Sequence, residues 1–342
     1  MSQKLSAQPP LFSTHANAWR PRPDDDVILS ASGGKDSTAA GLHLLELGIP
    51  FRAVFYDTGW EHEETYRYVE SALPGVLGVP VETRRGELPD LSAEMEAVAL
   101  DLERRYLNGR VSLMVRWCIH KAMFPSPVRA RWCTEKFKIN AAASVSAESH
   151  RAGRTPVAVV GIRHDESAAR AGLAETDIAV GPSLDALVWR PILKWTLEDV
   201  IAIHARHNAT PNPLYLRYGV GRVGCWPCVG AGKTELRALA AFDPRRVALV
   251  EELERVVGDE EARRRAKRPR KRRGGGSYTT RPAMFRLGTR NAEGVRPCTP
   301  IREMLAWSQT KRGGRVLDDA PIDTGSGCMR WGLCERGDGG TE

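Results

Sequence analysis

Hydrophobic and polar positions follow two rhythms along the first part of the chain. Residues 26–32 (DVILSAS) are aliphatic and then small, which predicts a strand ending in a tight turn. Ala40, Leu44, Leu45 and Leu47 then recur at helical spacing across 37–47. Residues 51–57 (FRAVFYD) predict a second strand, 61–73 a helix with a polar face, and 78–84 (GVPVETR) a third strand. A helix is predicted over 91–107. A strand over 155–162 (TPVAVVGI) leads into polar RHDESAAR, and 188–192 (VWRPI) is short and extended. Thr196 stands as an N-cap before LEDVIAIHARH. Strands alternating with helices predict an α/β fold, a parallel sheet with helices on both faces. Beyond residue 210 the rhythm breaks into Pro-, Gly- and Cys-rich segments, and no internal repeat is visible.

Ligands of open parallel sheets sit at the carboxyl ends of the strands. Three polar clusters follow predicted strands here, at 32–38, 57–61 and 163–170, and they are expected to converge on one crevice.

Composition adds a compartment and a charge. Hydrophobic residues make up 42% of the chain, enough for a sizeable core. No run reaches the roughly 18 apolar residues of a membrane span. Residues 1–24 lack an apolar signal core, so the expected location is cytoplasmic, away from membranes. The seven cysteines then read as thiols, metal ligands or redox groups rather than disulfides. The net charge of +8 is local, because residues 263–273 (RRRAKRPRKRR) alone hold nine Arg or Lys and no acid. Followed by GGGS, the segment 262–277 reads as a mobile basic arm. It is either a solvated loop or a contact to nucleic-acid phosphates.

The stretch SGGKDS, residues 32–37, carries the clearest chemistry. Gly33 and Gly34 let backbone N–H groups approach phosphate oxygens, and the helix starting near Ser37 adds its dipole. Lys35 adds a charge and Ser37 a hydroxyl. The Walker spacing GxxxxGK[ST] is absent.

A first strand followed by Ser32-Gly33-Gly34-Lys35-Asp36-Ser37 resembles the pyrophosphatase loop (PP-loop) of ATP pyrophosphatases. YDTGWEHEETYRYVE, RWCTEKFKI, GIRHDESAAR, WRPILKWTLEDVIAIHARH and VGCWPCV follow in that order. Together they resemble the phosphoadenosine phosphosulfate reductase family in its broad sense, over about residues 25–240. The closing GCMRWGLCE looks like a phage and bacterial subgroup related to the ATPase components of DNA phosphorothioation systems. The resemblance implies an adenine nucleotide alpha-hydrolase-like fold and cleavage of ATP between its α and β phosphates. It divides the chain into an N-terminal tail (1–24), a PP-loop nucleotide-binding domain (25–209) and a Cys-containing C-terminal region (210–342). It implies nucleotide binding by Ser32, Gly33, Gly34, Lys35, Asp36, Ser37, Asp57, Gly161 and Arg163, with Lys35, Asp36 and Asp57 catalytic. Asp36 and Asp57 are the candidates for Mg²⁺. Arg163, Glu166, Ser167 and Arg170 resemble the family's anion-binding segment, and the two arginines are expected to face one phosphate or one nucleic-acid backbone. His164 lies inside that segment. His204 and His207, three apart, read as a solvated helix end rather than a metal pair.

Cys225 and Cys228 form a CxxC held by Gly224 and Pro227, which suits zinc, iron–sulfur or dithiol redox chemistry alike. Iron–sulfur members of the family place a cysteine pair where this chain has Trp132-Cys133. Three readings stay open. A [4Fe–4S] cluster would use Cys133, Cys225, Cys228 and Cys334, with Cys328 as the alternative fourth ligand, and a three-cysteine cluster with an open iron is a variant of it. A zinc site would use Cys225, Cys228, Cys328 and Cys334. The thiols could also be buried or redox-active without metal. Cys118 and Cys298 look less like ligands, and Cys298, between two prolines, reads as structural.

Three functions compete. The first is an ATP pyrophosphatase that adenylates a nucleic-acid oxygen so that sulfur can replace it, as in DNA phosphorothioation or tRNA thiolation. Its cofactors would be ATP, Mg²⁺ and the cluster. Its partners would be nucleic acid, DNA in preference to tRNA, and a cysteine desulfurase or other sulfur donor. The second is a thiol-dependent phosphoadenosine phosphosulfate or adenylyl sulfate reductase. Reductases usually have a degraded loop and end in Glu-Cys-Gly-(Ile or Leu)-His, whereas this loop is intact and LCERGDGG around Cys334 does not match. The third is an ATP-dependent nucleic-acid-binding component of a defence complex.

Overall fold

The computed structural model describes residues 19–126, 131–179, 185–267, 281–286 and 297–310. Six strands form one sheet: β1 (Asp26–Ser30), β2 (Arg52–Asp57), β3 (Val81–Arg85), β4 (Pro156–Val159), β5 (Thr176–Ala179) and β6 (Ala186–Trp189). Their order is β3-β2-β1-β4-β6-β5. All neighbours are parallel except β5 and β6. The parallel sheet expected from sequence thus carries one antiparallel strand, β5, at its edge. Ile178 of β5 is largely exposed, so this strand lacks the apolar run that marks a buried parallel one.

Alternation along β1 sorts the two faces. Val27 and Leu29 join a core with Ala39, Ala40, Leu42 and Leu44 of α1 (Lys35–Glu46) and with Val200 and Ile203 of α8 (Leu197–Arg206). Ile28 points the other way, into a small core with Val54 of β2 and Val145 of α6 (Asn140–Arg151). Each fully buried Leu contributes about 1.5–3 kcal/mol, so the α1 face dominates. The cap of α8 is as read from sequence. Asp199 N–H donates to Thr196 Oγ1 (3.2 Å) and Thr196 N–H returns to Asp199 Oδ2 (2.8 Å).

The chain leaves β1 toward β2 and β3 on one side and later returns to β4 on the other. The carboxyl ends of β1 and β4 thus flank the point where strand order reverses, the usual ligand position of open α/β sheets. The polar-faced helix predicted over 61–73 is broken into α2 (Glu63–Arg67), a π-helical turn (Tyr68–Ala72) and α3 (Leu73–Leu77). A second π-helical turn, Thr134–Ile139, follows Cys133.

A second core joins α4 (Ala93–Tyr106), α5 (Leu113–Lys121), α10 (Lys233–Phe242), α11 (Pro244–Lys267) and α12 (Ile301–Ser308). The described residues beyond 210 are thus largely helical, although the sequence there shows no strand–helix rhythm. Val247, Val250, Leu253 and Val257 of α11 form a buried stripe at helical spacing, masked in sequence by the density of Arg and Glu between them. Residues 263–267 of the expected mobile arm are the last turn of α11, and the rest of that arm lies outside the described residues.

Glu254 fastens this second core. Its carboxylate accepts N–H groups from Met284 (2.9 Å) and Ile301 (3.2 Å), bridging α11 to the segments that carry β7 (Phe285–Arg286) and α12. Burial raises its pKa from 4.5 to about 7. A raised folded-state pKa gives stability that is present below pH 4.5 and lost as pH rises through about 7. Thermal unfolding of the wild type is expected to show this decline, and Glu254→Gln to flatten it. Equal pH slopes in the two proteins would contradict the assignment.

Candidate nucleotide and thiol site

The loop after β1 carries its own scaffold. Gly33 has φ of +72°, which favours glycine, and Gly34 caps α1 without a side chain. Gly34 offers no side-chain cap to the first amides of α1, and the Lys35 N–H is met instead by the Tyr215 hydroxyl. Ser37 Oγ accepts the N–H of Ser32 (3.2 Å), lies 2.9 Å from Ser32 Oγ and donates to Gly34 O (2.9 Å). The two serines therefore hold the loop's shape.

Lys35, Asp36 and Arg163 converge. Lys35 Nζ lies 3.0 Å from Asp36 Oδ2, and Arg163 Nε donates to Asp36 Oδ1 at 2.7 Å. Lys35 and Arg163 are both buried, so two cations meet one carboxylate at the helix N-terminus. Opposite Asp36 stands Gly161. A Cβ there would lie 2.4 Å from Asp36 O and 2.6 Å from Ser37 N, so only glycine permits this approach of β4's exit to the loop.

The remaining anion-segment residues divide. Glu166 accepts the Arg163 N–H (2.8 Å) and pairs with Arg170, while Ser167 is exposed. Arg170 thus does not join Arg163 at the loop. His164 bonds Leu173 O (3.0 Å) and His207 bonds Glu46 (3.0 Å), while His204 is buried rather than part of a solvated helix end.

Asp57 is committed elsewhere. Its Oδ1 accepts Gly59 N–H (2.7 Å) and the Tyr66 hydroxyl (3.0 Å), and its Oδ2 takes Arg85 Nε and Nη2. Four donors fill the four lone-pair positions of a carboxylate. Asp36 accepts one cationic donor on each oxygen and so keeps lone pairs that Asp57 lacks. The Tyr66 hydroxyl also reaches Glu61 Oε2 (2.9 Å), and burial, then Glu61 and Asp57, push its pKa well above the usual tyrosine range.

Several residues of the site are not among those expected. Asn212 Nδ2 donates to Gly33 O (3.2 Å) and Thr65 Oγ1 (3.3 Å). The Tyr215 hydroxyl accepts Lys35 N–H (3.1 Å), and Lys35 Nζ donates to Gly221 O (3.1 Å). The segment 212–221 therefore closes over the loop, across the boundary drawn at 209. Its signal in TPNPLYLRYGVG was read only as a break, although Asn before Pro marks a helix start, here α9 (Pro213–Arg217).

The same segment delivers the cysteines. Cys225 bridges to Glu61 in an isolated β-pairing, and Trp60 Nε1 donates to Pro227 O (2.9 Å). Cys133, Cys225 and Cys228 share one neighbourhood with Lys138. Burial, then the Cys228 thiol, raises the Cys133 pKa. Burial raises that of Cys225, with Lys138 opposing. Lys138 itself is raised, since Cys225, Glu61, Cys228 and Cys133 outweigh its burial. Three thiols supply part of a four-thiolate set. Among the described residues, however, no three metal donors stand in a binding arrangement. Cys328 and Cys334 lie outside the described residues. Cys118 is buried against Met114, Sγ to Sδ 3.7 Å, and Cys298 pairs with Arg286 in β8 (Cys298–Thr299). A groove between α4 and α11 shares no residue with this site, and Arg105–Glu252 and Arg263–Glu94 pair across it.

A glycine loop between β1 and α1, closed by Lys35, Asp36 and Arg163 at a strand-order reversal, defines an α/β nucleotide-binding protein. The phosphoadenosine phosphosulfate reductase domain matches residues 26–231, more than half of the chain, and the protein belongs to that family. An uncharacterized 37.8 kDa protein of Escherichia phage 186 is 37% identical over 257 residues, 67% of this chain and 75% of the relative. An uncharacterized protein of Methanocaldococcus jannaschii is 28% identical over 64% of this chain, which spans 39% of that relative. Among solved structures, the phosphoadenylyl-sulfate reductase of Candida auris aligns with a TM-score of 0.39 and 16% identity, over 59% of this chain and 82% of that one. The FMN adenylyltransferase of Candida glabrata, with FAD and pyrophosphate, aligns at 0.35 and 18%, over 60% and 57%. No helix among the described residues is long and apolar enough to cross a membrane.

Proposed function

We propose that the protein is an ATP pyrophosphatase that adenylates an oxygen of a nucleic acid so that sulfur can replace it. The observation that carries this reading is the intact loop, with Lys35 and Arg163 gathered on Asp36 at the N-terminus of α1. An acceptor oxygen attacks the α-phosphorus, the bond to the β-phosphate breaks, and pyrophosphate leaves. Lys35 and the α1 amides meet the charge that develops on pyrophosphate, and Arg163 faces the same crevice. Asp36 would hold Mg²⁺, which adds further charge neutralisation on the phosphates. The AMP-bearing oxygen is then displaced by sulfide, releasing AMP; where a persulfide from a donor such as a cysteine desulfurase attacks instead, a second thiol cleaves the resulting disulfide, leaving sulfur on the nucleic acid and the donor oxidised to a disulfide. DNA is the preferred acceptor, with tRNA as the alternative. This would place the chain in the subgroup related to DNA phosphorothioation ATPases, with a cytoplasmic location.

The reductase reading is favoured by the family match, but Cys334 stands outside the reductase motif. The two separate in one assay. Protein, ATP, DNA, a cysteine desulfurase and radiolabelled cysteine are expected to give ATP-dependent label in DNA. Sulfite released from adenylyl sulfate and a thiol, with no label in DNA, would favour the reductase.

A [4Fe–4S] cluster on Cys133, Cys225, Cys228 and Cys334 (or Cys328) belongs to the same reading, with zinc as the alternative group. Such a cluster would supply thiolate-bound iron beside the crevice. Anaerobically purified protein is expected to be brown, with about four iron and four sulfide per chain. Colourless protein with one zinc per chain would select zinc.

A further inference from the structure

In the described part of the 263–273 run, Arg263 and Arg264 share Glu260, and Arg265 pairs with Glu261. The pattern is general on this surface. Asp101 takes Arg104 and Arg105, and Arg255 takes Glu252 and Asp259.

One patch departs from it. Trp117 of α5 is fixed by its Nε1–H on Glu87 O (3.0 Å). Lys121 Nζ lies 5.1 Å from its ring centroid and Lys136 Nζ 5.5 Å, both within cation–π range. Lys121 also lies 5.7 Å from the Trp132 ring, and His120 packs on Trp117 at 5.3 Å. Two ammonium groups drawn to one indole repel each other. Glu135, exposed and 3.5 Å from Lys136, is the carboxylate that faces them. Lys121 and the exposed Arg131 have no carboxylate partner among the described residues. Arg131 and Trp132 immediately precede Cys133, and Trp132 packs on Phe137 of the following π-helical turn (5.8 Å). The patch therefore borders the thiols.

We infer that Lys121 and Lys136, gathered around Trp117, together with Arg131 two residues before Cys133, form a docking surface for the phosphate backbone of a nucleic-acid strand beside Cys133. The inference rests on the proposed function for its choice of polyanion. Phosphates held here bring an adjacent nucleotide to the thiol side of the crevice. Each neutralised phosphate of a single strand contributes about −0.7 to the slope of log K against log salt.

The test uses the full chain, a fluorescent oligothymidine and anisotropy across a salt series. Lys121→Glu/Lys136→Glu and the gentler Lys121→Gln/Lys136→Gln are both expected to weaken binding and flatten the slope by about 1.4, two single-strand contacts. ATP cleavage without oligonucleotide should stay at the wild-type rate in the Gln pair, since neither lysine touches the loop. Wild-type affinity and slope in both pairs would overturn the docking surface. So would a wild type that makes AMP and pyrophosphate yet binds no oligonucleotide, or a Gln pair whose loss of binding is matched by loss of ATP cleavage. Binding that depends on these lysines in a protein that never cleaves ATP would keep the surface and remove the catalytic reading.

Discussion

Lys35→Ala is expected to lower ATP cleavage by about 10²–10³-fold, the usual loss when one donor to a developing anion is removed. Lys35 Nζ is held at 3.0 Å from Asp36 and 3.1 Å from Gly221 O, so its ammonium is already oriented when nucleotide arrives. Removing it leaves Asp36 paired with Arg163, so the loop keeps one clamp and the fold should survive. Rate, ATP affinity and thermal midpoint measured on the same preparation separate the two effects. A variant that melts like the wild type and cleaves ATP at the wild-type rate would remove Lys35 from the chemistry.

Gly161→Ala should be as damaging without touching any charged group. The new methyl would meet Asp36 O at 2.4 Å and Ser37 N at 2.6 Å, and neither backbone atom can swing aside. Overpacking of this kind costs about 1–3 kcal/mol. A loop displaced by about 1 Å loses on the order of 10²-fold in rate. Gly172→Ala is the control, because nothing lies within 4 Å of a Cβ there. Activity near wild type for Gly161→Ala would mean that the exit of β4 does not set the loop.

These two positions also show how much was legible in the sequence. The loop from Ser32 to Ser37 could be read directly, because glycines, a lysine and a helix start are local features of consecutive residues. Gly161 and Arg163 entered only through a resemblance. Their contact with Asp36 depends on β4 lying beside β1, a long-range pairing that no local pattern encodes. Asn212, Tyr215 and Gly221 were missed for the same reason, since their partners lie about 180 residues away in the chain. Asp57 was assigned by its place after a strand, yet its partners Arg85 and Tyr66 fill it and leave it a positioning role. The antiparallel β5 and the helices α10 and α11 were lost to polar composition. An edge strand and a charged amphipathic helix need fewer apolar residues than the periodic templates look for. In the run at 263–273, the intrahelical partners Glu260 and Glu261 of Arg264 and Arg265 precede the run itself, so its charge alone did not reveal them.

The central claim is cleavage between the α and β phosphates, and the products of ATP decide it. Anaerobically purified protein incubated with Mg²⁺, a nucleic acid, sulfide and ATP labelled at the α-phosphate should yield AMP and pyrophosphate in equal amounts. The yield should fall with Lys35→Ala. ADP with inorganic phosphate, or intact ATP under conditions in which the protein is folded and binds nucleotide, would contradict it.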